Sequence, residues 1–200
     1  MITRDEITRS LTGAWEIFLD RPNAMRHFDT DYAGFWRSFQ AIILIAPLYA
    51  LTAFAAYRAL ETRIPASELP ESALFLWARA VTLGFDWVTL PILLAVVASV
   101  LGIQRTYTSF VVARNWSTVL IVTPFALIAA LELVFNGIGP LVVPLSLLAT
   151  AAVLRFAYLV ARHAMEANVG LAIGIVVLDF FLSLFLAATV NVLFGLPAAA

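Results

Sequence analysis

The 200-residue sequence has no cysteine and no lysine. Without cysteine there can be no disulfide and no thiolate metal site. Without lysine all twelve basic residues are arginine, a usage that points to a GC-rich bacterial genome. Charge of either sign is scarce. Asp, Glu and Arg make up 12% of the chain, against about 25% in soluble domains. The net charge of −1 supplies no basic field for nucleic acid. No P-loop, G-x-G-x-x-G, G-x-S-x-G or H-E-x-x-H motif occurs, so no phosphate cradle, nucleophile elbow or zinc helix is expected. His27 and His163 are isolated, with no second histidine three or four residues away. Neither a metal site nor a cofactor is therefore expected, and the chain reads as non-enzymatic. The first 35 residues mix Arg4, Arg9, Arg21 and Arg26 with six carboxylates and carry no apolar core of a secretory signal. The first true span is expected to direct insertion.

What the sequence has instead is apolar character. Hydrophobic residues make up 62% of the chain, and its mean hydropathy is +0.96. A soluble domain of this size could not cover so much apolar surface with so few charges. Lipid is the solvent that suits it. Period-two alternation in segments of about ten residues is missing, which argues against a membrane β-barrel. The expected fold is all-α: a polytopic transmembrane bundle of five helices behind an amphipathic N-terminal helix.

Five stretches reach the roughly 20 apolar residues that a crossing needs. They are 35–59, 83–103 with a lead-in over 73–82, 116–136, 141–162 and 169–194. The segment 105–115, RTYTSFVVARN, reads as a semi-polar connector. Two glycines and a proline in Asn136-Gly137-Ile138-Gly139-Pro140 predict a tight turn that makes spans three and four antiparallel neighbours. Upstream, residues 3–20 predict a helix opened by a Thr3/Glu6 capping box. Ile7, Leu11, Ala14, Trp15 and Phe18 share one of its faces. Two readings of that helix stay open: lying on the membrane surface, or packing on the protein's own cytoplasmic face.

With the N-terminus inside, the inner segments hold eight arginines, the outer segments three, and Arg155 lies within span four. The positive-inside rule thus predicts a cytoplasmic N-terminus in a bacterial inner membrane.

Ionisable residues inside spans are the functional leads, since each costs roughly 2.5–3.5 kcal/mol at the bilayer centre on insertion scales. Four qualify: Asp86, Glu132, Arg155 and Asp179. Arg155 and Asp179 lie at depths differing by about 6 Å on consecutive spans, so an ion pair between them is expected. It would be either a structural register pin or a proton or ion site. Asp86 can pair with Arg79, seven residues earlier, and Glu132 is expected to be hydrated near the outer interface. Pro47, Pro91, Pro124 and Pro144 fall inside four spans and can kink them, for packing or for ion binding. Gly170 and Gly174 form a G-x-x-x-G that lets another helix approach.

The connector and third span, RTYTSFVVARNWSTVLIVTPFAL, carry Tyr107, Phe110, Trp116 and Pro124. This aromatic-polar entry into a proline-bearing third span, with five spans after a short N-terminal segment, resembles the Yip1-like membrane proteins, as a bacterial member. The resemblance covers 36–195 in topology and specific residues over 106–127. It implies a non-enzymatic membrane protein. Two functions follow. The first is a membrane-organising or accessory subunit working through helix–helix contacts with a second copy or another membrane protein. The second is a small transporter or channel using the four intramembrane charges. The second predicts a wet cavity that reaches at least two of them.

Overall fold

The computed structural model describes residues 2–135 and 138–197. Among them there is no strand. The helices are α1 Arg4–Phe18, α2 Tyr32–Ser38, α3 Ile42–Glu61, α4 Ser72–Leu101, α5 Tyr107–Val134, α6 Gly139–Met165 and α7 Val169–Leu193. A short 3-10 turn, Phe39–Ala41, fuses α2 to α3. Five units, Tyr32–Glu61 and α4 to α7, are long and apolar enough to cross a membrane. Large apolar side chains point out of the bundle along them, such as Ile92, Val96 and Val100 on α4 and Phe181, Phe185 and Val192 on α7. In water such a belt would aggregate; in a bilayer it is solvated by lipid. The protein is a multi-pass membrane protein.

Three boundaries differ from the sequence reading. The second span is one unbroken helix from Ser72, not a crossing with a separate lead-in. Phe75 and Ala78 dock there against Leu60, Val190 and Leu196. Gly102, at φ 69°, ends the helix in the left-handed region that glycine tolerates. The third helix starts at Tyr107, so most of the expected connector 105–115 is helical. Its residues 110–113 and 115–117 are buried, which makes this stretch the most enclosed part of the chain. α5 is the central helix, packed by α1, α2, α3, α4 and α6. A span bounded by hydropathy stops at Arg114 and Asn115; here their polar groups meet protein partners, so the helix runs on through them. α6 likewise extends beyond 141–162 at both ends, whereas α7 matches its expected bounds within a residue. The turn at Asn136-Gly137 lies outside the described residues.

α1 packs on the protein itself, across α5 and α6. The Thr3 hydroxyl accepts from the Glu6 N–H, as a capping residue should. Of the expected apolar stripe, Ala14 is buried and Ile7, Leu11 and Phe18 pack half-buried against the core, and the contact face widens to take in Glu6, Ser10, Gly13 and Ile17. Small residues let the helix come close, while Trp15 and Leu19 remain exposed. A Cβ on Gly13 would sit 2.7 Å from the His27 Cβ, and one on Gly34 would sit 2.1 Å from the Asp29 carbonyl oxygen. Ion pairs lock this layer. The Arg37 Nε donates to both Glu6 carboxylate oxygens at 2.9 and 3.0 Å. Arg9 and Arg37 share Asp29. His27 and His163, isolated in the sequence, meet Glu16 at 3.0 Å and Asp20 at 2.8 Å. The Asn115 amide donates to the Ser38 hydroxyl at 2.9 Å, fastening α5 to α2.

All four span prolines lie inside continuous helices. Each removes one backbone donor. At Pro91 the carbonyl accepts an additional bond from the Tyr107 hydroxyl at 2.9 Å, tying α4 to the start of α5.

Candidate functional site

Asp86 lies fourteen residues from the start of α4, and Asp179 fourteen from the end of α7. At ~1.5 Å per residue both are about 21 Å from the face opposite α1, within the depth of the hydrocarbon. α4 and α7 pack against each other, and the two carboxylates line one cavity of about 210 Å³ with Arg114. Tyr49, Trp87, Ser117, Thr118 and Ser183 add polar groups to a wall that is otherwise apolar.

Arg114 is the cation of this site. Its Nη2 donates to the Asp179 Oδ1 at 3.1 Å and to the Asp86 backbone carbonyl at 3.4 Å. Its side chain is only 14% exposed. Three polar atoms of residues on the cavity wall are enclosed by protein without a hydrogen-bond partner there: the Asp86 Oδ1, the Trp87 indole nitrogen and the Ser117 hydroxyl. Buried polar groups in native proteins nearly always find partners, so these three are a cost of the site. The space itself has room for several water molecules.

The charge balance is uneven, with two carboxylates to one guanidinium. A second ionised carboxylate without a counter-charge is costly this deep in a membrane. One carboxylate of the cavity is therefore left without a counter-charge on its wall. Among the described residues no group of three or more His, Asp or Glu gathers, so the donor set does not suit a divalent ion that demands many oxygens. It suits a proton or a monovalent cation.

The expected pair of Arg155 with Asp179 does not form. Arg155 donates instead to the Phe18 carbonyl at 2.9 Å and lies over the Phe18 ring. The reason is angular. α6 reaches the cavity with Ala157 and Val160, and Arg155 sits about 200° round the helix from Ala157. Depth placed the two residues together, but helix rotation parts them. Nor does Arg79 pair with Asp86: its Nη2 donates to Asn191 at 2.9 Å, and its guanidinium stacks over Phe75. Glu132 lies in a separate cavity of about 280 Å³ towards the face opposite α1, with Arg63, Thr52 and Ser146. Of the four charges singled out, the fold brings together Asp86 and Asp179 and leaves Glu132 and Arg155 apart. Gly170 and Gly174 are exposed. A Cβ on Gly174 would meet nothing within 4 Å, and one on Gly170 only the Asn168 side chain, so they do not serve helix packing within this chain.

Arg114 was the residue that the sequence reading missed. A signal for it existed: two acids inside spans call for a base, and Arg114 follows the apolar run Phe110-Val111-Val112-Ala113 directly. The chain matches no protein-family model, no curated protein and no solved structure.

Proposed function

We propose that this membrane protein is a small transporter or channel that binds a proton or monovalent cation between Asp86 and Asp179. The observation that carries this reading is the excess carboxylate beside Arg114 in one intramembrane cavity. The cavity reaches two of the four intramembrane charges, the feature that separates a solute pathway from a dry bundle. An arriving cation would neutralise the Asp86 carboxylate and compete with Arg114 for Asp179, so occupancy and the ion pair are coupled. The reading includes a bacterial inner-membrane location with the α1 face cytoplasmic, supported by the distribution of arginines. The test is cation and proton uptake into proteoliposomes under an imposed potential. Wild-type protein is expected to move H⁺, Na⁺ or K⁺, with uptake lost in Asp86→Asn and Asp179→Asn. Uptake at the wild-type rate in Asp86→Asn, or none by the wild type, overturns the proposal.

A second reading, the accessory subunit implied by the resemblance to Yip1-like proteins, is favoured by one observation. Gly170 and Gly174 present a flat, unoccupied face on α7. If a second copy or another membrane protein packs there, Gly174→Leu abolishes its co-purification while leaving the fold of the chain intact. Co-purification unchanged by that substitution removes the support for this reading.

A further inference from the structure

A second concave surface lies on the lipid side of the bundle, away from the ion-pair cavity. α5 and α6 form its walls, and the end of α1 closes it at one side. The resulting groove of about 310 Å³ is almost wholly apolar, lined by Trp15, Phe18, Leu120, Pro124, Leu127 and Phe156. Its floor is rigid: Trp15 stacks on Phe18 at 5.2 Å between ring centroids, and Phe18 meets Phe156 edge-on at 5.4 Å.

Arg155 stands at the rim, 5.9 Å over the Phe18 ring. It is sixteen residues from the start of α6 at Gly139, about 24 Å along the helix. In a hydrocarbon layer of about 30 Å that depth is close to the headgroup level at the α1 side. Trp15, half exposed beside it, suits the same level, where indole rings concentrate. Arg155 is exposed, and its one hydrogen bond among the described residues goes to the neutral Phe18 carbonyl. The carboxylates at this end of α1 are engaged elsewhere, Glu16 by His27 and Asp20 by His163. An apolar slot in the bilayer thus ends at a cation whose charge no carboxylate among the described residues neutralises.

We infer that this groove is a binding site for an anionic phospholipid, with one acyl chain between α5 and α6 and the phosphate on Arg155. The match is one of charge and depth together. The guanidinium has donors left after binding Phe18, and phosphate is the anion found at that level of a membrane. A headgroup without its own cation leaves the phosphate free for Arg155, so phosphatidylglycerol is expected to bind in preference to phosphatidylcholine.

Native mass spectrometry of the full chain, delipidated in detergent and titrated with each lipid separately, tests this. Wild-type protein is expected to retain one phosphatidylglycerol in preference to phosphatidylcholine. Arg155→Gln should weaken phosphatidylglycerol binding about ten-fold or more, while Arg155→Lys should preserve most of it. Ala152→Phe, which fills the groove and keeps the arginine, should also lose the lipid. Retention by Arg155→Gln equal to the wild type, equal binding of the two lipids, or a protein dimer that Ala152→Phe dissolves overturns the inference. Cation uptake unchanged in Arg155→Gln would show that the two sites are separate.

Discussion

The Arg114 site predicts an asymmetry between two substitutions that break the same ion pair. Arg114→Met removes the bond to Asp179 and the bond to the Asp86 carbonyl together. It leaves two carboxylates facing a cavity in lipid with no counter-charge. Removing one partner of a buried pair typically costs about 3–5 kcal/mol, and half-buried Arg114, at 14% exposure, should fall at the lower end of that range. Asp179→Leu is milder. Asp179 is 31% exposed, and its loss leaves Arg114 still bonded to α4 with the Asp86 carboxylate in the same cavity. The cost should be that of one charged hydrogen bond, about 1.5–3 kcal/mol. The double variant should cost less than the sum, because Asp179→Leu removes one of the carboxylates that Arg114→Met strands. Reversible unfolding of the purified protein in mixed micelles, followed by tryptophan fluorescence and circular dichroism, gives all three values. Equal costs for the two single variants, or strict additivity in the double, would mean that Arg114 does not serve both acids.

The layer under the bundle yields two further expectations. Gly34→Ala forces a Cβ onto the Asp29 carbonyl, a backbone atom that cannot rotate away. The layer should lose about 1–3 kcal/mol or detach locally, read as faster hydrogen exchange over residues 4–38. Exchange as slow as in the wild type would show that the loop yields without cost. Ser38→Ala strips the acceptor from the Asn115 amide, whose Oδ1 is already without a partner. The expected loss is about 1–3 kcal/mol in the same unfolding assay, and Asn115→Leu combined with Ser38→Ala should recover part of it.

Much of this architecture could be read from residue order. The five crossings follow from apolar length, and Asp86 and Asp179 stand out because charges are rare in such segments. The failures share one cause. Hydropathy reports whether a residue suits lipid, and it cannot tell lipid from another helix. Arg114 and Asn115 were assigned to a connector because lipid would reject them, yet Asp179 and Ser38 accept them inside the bundle. Glu6, Ser10 and Gly13 lay outside the apolar stripe of α1, although small size and the Arg37 pair bury them beside it. Arg155 and Asp179 were matched on depth alone, and the rotation of α6 put them on different surfaces.

Because the chain has no cysteine, single thiols introduced into it are unambiguous reporters of water. Ser183→Cys places one at a half-buried position on the wall of the ion-pair cavity. Ala126→Cys places one at a buried position away from that cavity. The most direct measurement is the rate at which each reacts with a small cationic methanethiosulfonate reagent in membranes. Rapid modification at 183 that is slowed by high concentrations of the transported cation, with none at 126, is the result expected of a cation-binding cavity. An inert thiol at 183 beside a reactive control on the exposed surface would mean that the space is dry, and the account of an intramembrane cation site would fall.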